Sequence, residues 1–139
     1  MPPQSKKTQP HRSSCPRHPG PHPCTCGMGN LYRFVEPVIL LLLKEKGEAH
    51  GYELAGRVAE HALTDAQIET AALYRTLRTL ESNGYVVSRW DVSGSGPARR
   101  LYRLSNNGLY HLSDWIEILE QMSKSMTAFV RLARGAKLR

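Results

Sequence analysis

Four arginines stand in two close pairs in this 139-residue chain, Arg75 with Arg78 and Arg99 with Arg100. A guanidinium group presents five N–H donors in a rigid fork that matches the oxygens of a phosphate and the O6 and N7 edge of guanine. The first pair lies in Thr70-Ala71-Ala72-Leu73-Tyr74-Arg75-Thr76-Leu77-Arg78-Thr79-Leu80-Glu81. Turned at 100° per residue, Leu73, Leu77 and Leu80 gather on one side, while Ala71, Arg75, Arg78 and Ser82 fall almost opposite. One face is fit to pack and the other to meet anionic oxygens. Small Ala71 would let such a helix enter a groove about 12 Å wide, with Thr70, Tyr74 and Thr79 on its flanks. In isolation the same pattern also describes a solvated basic helix face, so its neighbours in the chain decide.

The second arginine pair follows the acid-free segment Ser93-Gly94-Ser95-Gly96-Pro97-Ala98, and Arg89 and Arg103 add charge nearby. Residues 85–91 and 99–104 are rich in β-branched and aromatic types, so the Gly- and Pro-bearing segment between them reads as the tip of a two-stranded hairpin. Trp90 and Tyr102 are expected to pair across it. A basic tip of this kind suits a phosphate backbone or a narrow minor groove.

The elements that hold these groups follow from periodicity and caps. Pro37 in a first turn, Glu36 at the positive end and Gly47 as the stop predict a helix over residues 37–46. Its apolar middle, Val38 to Leu43, implies burial on several sides. After a turn at Glu48-Ala49-His50-Gly51, the apolar positions Leu54, Ala55, Val58, Ala59 and Ala62 predict a second helix over residues 52–61, weakened at Gly56. Thr64-Asp65-Ala66-Gln67 reads as a cap-like turn and Thr70 as a further N-cap, for a third helix that ends before Asn83-Gly84. From Asn107 the chain returns to helix, with Leu109, Leu112, Ile116, Leu119, Ser123, Met126, Val130 and Ala133 alternately three and four apart, a heptad-like seam. The expected fold class is mainly α with a small β-hairpin: a winged helix-turn-helix followed by a long C-terminal dimerisation helix.

Size and charge narrow the function. The 15.6 kDa chain carries a net charge of +7 and a pI near 9.6, which favours a polyanionic partner, nucleic acid or an anionic membrane surface. Its longest apolar run falls far short of the roughly 20 residues of a membrane span. No secretory signal is evident, and a cytoplasmic location with no membrane partner is expected. The sequence holds no phosphate loop, nucleophile elbow or paired carboxylates suited to acid–base work, so an enzyme is not expected. Residues 1–30 differ sharply from the rest: they hold seven of the nine prolines, all three cysteines and no acidic residue, and cannot build a core of their own. The expected division is an N-terminal extension (residues 1–30), a winged-helix domain (31–105) and a C-terminal helix with a basic tail (106–139).

Cys15, Cys24 and Cys26, interspersed with His11, His18 and His22, offer thiolate and imidazole ligands. In a reducing compartment such donors suit zinc, copper(I) or an iron–sulfur centre. Cys-x-Cys is not the Cys-x-x-Cys knuckle of structural zinc sites, and three cysteines need a histidine or a second chain to complete four ligands. A basic tail with incidental thiols is the other reading.

Three segments, His50-Gly51-Tyr52-Glu53-Leu54, then Ala72-Leu73-Tyr74-Arg75 through Asn83-Gly84-Tyr85-Val86, then Gly96-Pro97-Ala98-Arg99-Arg100-Leu101-Tyr102-Arg103-Leu104-Ser105, together make residues 31–132 resemble PadR-type transcriptional regulators, in the branch with a short C-terminal helix. The resemblance implies a homodimeric winged helix-turn-helix protein, usually a repressor, that binds a double-stranded DNA operator and dimerises through its C-terminal helix. Under it Thr70, Ala71, Tyr74, Arg75, Arg78 and Thr79 would read or steady the duplex while Arg99 and Arg100 anchor the wing. Leu109, Leu112, Ile116, Leu119, Met126 and Val130 would form the dimer seam, because a lone helix with an apolar stripe exposes it until a second copy covers it. Trp115, Tyr110, Met122, Met126 and Phe129 near the seam would line either an interface core or a pocket for a small-molecule effector. The chain departs from the family pattern at Thr70-Ala71-Ala72, where a small Ser or Gly pair is usual, and in its Cys- and His-bearing extension. Two other readings stay open: a metal- or redox-responsive regulator sensing through that extension, and an interaction adaptor that uses the winged fold without DNA.

Overall fold

Proline in the first turn and glycine after the last bound helix α1 (Val35–Lys46), in which Val38, Ile39, Leu40, Leu42 and Leu43 are all fully buried. Gly47 ends it at φ +83°, its N–H donating to the Leu43 carbonyl at 2.8 Å. The helix begins two residues earlier than its proline suggests, because proline is tolerated anywhere in a first turn whose N–H groups lack intrahelical partners. The computed structural model describes residues 34–63 and 68–136. Beyond α1 these form strand β1 (Glu48–His50), helix α2 (Gly51–Arg57), a 3₁₀ turn (Val58–His61), helix α3 (Thr70–Ser82), strands β2 (Val86–Asp91) and β3 (Arg99–Leu104), and helix α4 (Asn106–Gly135). Helix α1 packs against α3, α4 and β3 and is the hub of the core.

Sequence reading missed β1, which it took for a turn. Its three residues pair antiparallel with β3, Glu48 opposite Arg103, Ala49 opposite Tyr102 and His50 opposite Leu101, giving a sheet of order β1-β3-β2. The expected pairing of Trp90 with Tyr102 is also corrected: Ser88 faces Tyr102, and Trp90 faces Arg100. Tyr102 is buried between small neighbours, Ala49 on one side and Ser88 on the other, which leaves room for its ring in the core. The second helix is shorter than expected and tightens into the 3₁₀ turn, with Leu54 and Val58 as its buried anchors. The cap-like turn at Thr64 to Gln67 lies outside the described residues.

Helix α3 buries Leu73, Leu77 and Leu80 completely. Thr70 is its first residue rather than its cap: Glu69 is the extended N-cap, and its carbonyl accepts from the Leu73 N–H at 3.0 Å. The far end is a Schellman turn, with Gly84 at φ +80° and the Tyr85 N–H reaching back to the Leu80 carbonyl at 2.9 Å. That turn aims the chain directly into β2. Ser105 then caps α4, accepting from the Gly108 N–H at 3.0 Å while its hydroxyl donates to the Gly84 carbonyl at 2.6 Å. Gly108 sits so tightly on the Tyr85 carbonyl that any side chain there would collide with it.

Only the first half of α4 joins the core, through Leu112, Trp115 and Ile118. Leu119 and Met122 lie at its edge, and every residue from Ser123 to Ala136 is exposed. The heptad-like seam therefore divides. Leu112 belongs to the chain's own core and Leu119 leans on it, whereas Leu109, Ile116, Met126 and Val130 face solvent. The reason is angular: Ile116 lies 100° around the helix from Trp115, so a stripe that includes Leu112 cannot turn wholly away from the domain. Trp115 is likewise a core residue, meeting Phe34 edge-on at 6.4 Å, and does not line an open pocket.

Candidate nucleic-acid interface

The solvent face of α3 carries the groups that its sequence placed there. Thr70, Ala71, Arg75, Arg78 and Thr79 are exposed; Ala71, Arg75, Arg78 and Thr79 lie on the side away from the buried leucines, and Thr70 is the first residue of the helix. Among the described residues Arg75 and Arg78 make no ion pair, so both guanidinium groups are available to a ligand. The Thr79 hydroxyl donates back to the Arg75 carbonyl at 3.1 Å, and Thr76 does the same to Ala72 at 2.8 Å. Thr79 thus presents its methyl and a lone pair rather than a free donor. Tyr74 is half-buried, its ring lying against Gly51 at the start of α2.

The two wing arginines are held differently. Arg100 donates to the Glu81 carboxylate at 2.9 Å and lies 5.2 Å over the Trp90 ring, so it braces the wing against the end of α3. Arg99 makes no ion pair among the described residues and lies 5.1 Å over the Tyr52 ring. Arg89 is paired with Glu48 across the sheet at 3.0 Å.

Sequence reasoning missed His50 and Tyr52 as site residues, seeing them only as part of a motif. His50 is the hinge pin between α2 and the wing. Its main-chain N–H donates to Glu53 at 3.1 Å in a capping box, its Nδ1 lies 2.6 Å from the same carboxylate, and its Nε2 lies 2.9 Å from Asp91 at the end of β2. Lys46 adds an ion pair to Glu53. Each ring nitrogen thus faces a carboxylate, one on α2 and one at the end of β2. Asp91 also accepts the Ser93 hydroxyl at 2.5 Å and its N–H at 3.0 Å. These two hydrogen bonds, then the one from His50, lower its carboxyl to about 2. The signal that was available is the spacing of His50 and Glu53, which is that of a capping box with histidine in place of Ser or Thr.

His50, Tyr52, Tyr74, Arg99, Arg100 and Tyr102, with Gly51 as floor, enclose a recess of about 230 Å³ where α2, α3 and the wing meet. By helix geometry its Tyr74 wall is flanked by Ala71, Arg75 and Arg78, so recess and exposed helix face form one surface.

Cys15, Cys24 and Cys26 lie outside the described residues, as do His11, His18 and His22. Among the described residues no group of His, Cys, Asp and Glu has the arrangement of a metal site, and no helix is long and apolar enough to cross a membrane.

Known proteins share this arrangement. A PadR family transcription regulator from Clostridium difficile is 26% identical, the match covering 70% of this chain and 98% of that one at a TM-score of 0.59. A transcriptional regulator from Clostridium thermocellum is 31% identical over 70% of this chain and 90% of its own, with a TM-score of 0.59. Bacillus subtilis PadR, a negative transcriptional regulator solved in complex with operator DNA, is 27% identical over 60% of this chain, at a TM-score of 0.53. The chain spans less than half of that protein, 47% of its length. The profile of the Transcriptional regulator PadR-like family matches residues 39–114, from the buried middle of α1 through α3 and the wing into α4. With its family match, its helix order and its wing in agreement, the chain belongs to the PadR-like family of transcriptional regulators.

Proposed function

We propose that the protein is a homodimeric repressor that binds a pseudo-palindromic DNA operator, with α3 in the major groove and the β2–β3 wing against the neighbouring backbone. The observation that carries this reading is the pair Arg75 and Arg78: exposed, without an ionic partner among the described residues, and fixed on a helix whose other face is three fully buried leucines. The buried leucines matter because they fix the backbone of α3, and with it the reach of both guanidinium groups toward a base edge or phosphate. The operator complex of B. subtilis PadR and the description of that protein as a negative regulator support a duplex ligand and a repressing role. Homodimerisation rests on Leu109, Ile116, Met126, Phe129, Val130 and Leu132, large apolar side chains left exposed along α4. Two copies joined there would present paired α3 helices to successive major grooves. The protein performs no catalysis in this reading and acts in the cytoplasm. Any metal effector would bind through Cys15, Cys24 and Cys26, whose ligand chemistry suits zinc or an iron–sulfur centre.

The test is selection of bound genomic fragments at low salt, followed by titration with the Arg75→Ala/Arg78→Ala variant. Weakened binding with an unchanged thermal melt is expected, since neither side chain supports the core. Each lost phosphate contact should lower the salt slope of log K by about one. Equal affinity of variant and wild type at matched salt would refute the roles of both arginines.

A further inference from the structure

Helix α3 offers a duplex fewer hydrogen-bonding groups than its sequence suggests. Glu81, the only carboxylate in the helix, is held by Arg100, and the hydroxyls of Thr76 and Thr79 donate to the carbonyls of Ala72 and Arg75 at 2.8 and 3.1 Å. The helix contains no Asn or Gln. It therefore lacks a free acceptor for the cytosine amino group and an amide that could take an adenine edge bidentately. On the face turned from the leucines, the long hydrogen-bonding side chains are Arg75 and Arg78, whose forks suit the O6 and N7 of guanine.

What flanks Arg75 is apolar. Ala71 lies four residues before it and Thr79 four after, both exposed, so the three form one ridge along the helix. The Thr79 hydroxyl is turned back onto the helix, which leaves its methyl to face outward, and Ala71 has only a methyl to present. The ridge thus runs methyl, guanidinium, methyl, with about 6 Å of helix axis between successive groups. In the major groove, the apolar feature of a base edge is the C5-methyl of thymine. Ala71 stands in the first turn of α3, and the N-terminal end of a recognition helix is the part that comes nearest the base edges.

Resting on the DNA-binding reading, we propose that Ala71 and Thr79 are specificity-determining residues for thymine, each packing its methyl on the C5-methyl of a thymine that flanks the guanine met by Arg75. A base step is roughly 3.4 Å, so each thymine lies about two base pairs from that guanine, on either strand. Ala71 belongs to the Thr70-Ala71-Ala72 segment, where the chain departs from the family pattern, so the preference is particular to this chain.

The test removes methyl groups and nothing else. Operator fragments selected by the whole wild-type chain are remade with uracil in place of one thymine at a time, which leaves the protein and every phosphate untouched. Two uracil positions in a half-site, on opposite sides of a guanine, should each weaken wild-type binding about fourfold, the effect of losing one buried methyl-sized group. Ala71→Gly should be insensitive to uracil at one of these positions. Thr79→Ser, which keeps the back-bonding hydroxyl and loses only the methyl, should be insensitive at the other. Because no phosphate contact changes, the salt slope of log K should be the same for thymine and uracil operators. Uracil that weakens wild type and variants alike, or that alters affinity at no position, overturns the thymine preference while the DNA-binding reading stands. Selected fragments that share no thymine-flanked guanine do the same. A wild type that binds no fragment at low salt overturns both.

Discussion

Glu36 of α1 accepts a hydrogen bond from the Trp115 indole of α4 at 3.3 Å, and the same oxygen meets Nε2 of buried His111. The Tyr85 ring, at the exit of α3, stacks on His111 with centroids 3.9 Å apart and planes within 5°. One carboxylate thus links the first helix, the C-terminal helix and the segment that joins α3 to the wing. Motion of α4 relative to α1 would therefore be felt at Tyr85 and so at the end of α3.

Two substitutions at Glu36 test this linkage. Burial first, and then the charges of Glu36 and Asp114, hold the Tyr85 phenol above its ordinary 10.0. Glu36→Gln keeps an acceptor but removes a charge, so Tyr85 should ionise at lower pH than in the wild type while staying above 10.0, because burial persists. Ultraviolet titration of the phenolate measures it. With the folded value raised, the associated stability is complete below the unfolded value and lost as pH climbs through the folded one. Glu36→Ala removes the acceptor itself and should cost about 1–3 kcal/mol in urea denaturation, the expense of a lost partner for buried donors.

A second prediction concerns the base of the wing. The Asp91 carboxyl is lowered to about 2 chiefly by the Ser93 hydroxyl and N–H, with His50 contributing less. Its folded value is below the unfolded one, so the stabilisation it brings is present above the unfolded value near 3.8 and disappears as pH falls toward 2. Ser93→Ala deletes the largest contribution and should raise the Asp91 value toward 3.8, read by carboxyl carbon NMR. Titration of Asp91 unchanged by Ser93→Ala would show that His50 holds it instead.

Much of this architecture was readable because its causes are local. Leucines three and four apart specified the buried face of α3, and Asn83-Gly84 specified its left-handed exit. The acid-free run before Arg99 marked the wing tip. Strand β1 escaped because three residues are too few to display alternation, and its stability comes from β3, more than fifty residues away in sequence. The recess escaped for a similar reason: Tyr52, Tyr74 and Arg99 converge only through packing, and Gly51 reveals its purpose only when the Tyr74 ring is seen against it. For Leu112 the periodicity was real, but a spacing of three and four residues fits a dimer seam and a core stripe equally well.

That ambiguity yields a contrast between two residues of one helix. Leu112 is 7% exposed and packed in the domain core, whereas Phe129 is 70% exposed on the projecting half of α4. Leu112→Ala should therefore destabilise the domain by about 2–5 kcal/mol, by removing buried methyl groups and leaving a cavity. Phe129→Glu costs the isolated domain almost nothing, since the side chain touches no part of the core. If two copies meet along α4, however, it places a charge in their shared apolar interface, where an unpaired charge is strongly disfavoured. Light scattering should then show Phe129→Glu as a monomer with native far-ultraviolet circular dichroism, and its affinity for operator DNA should fall because the two half-sites are no longer held together. A variant that remains dimeric would place the subunit contact on some surface other than the exposed end of α4.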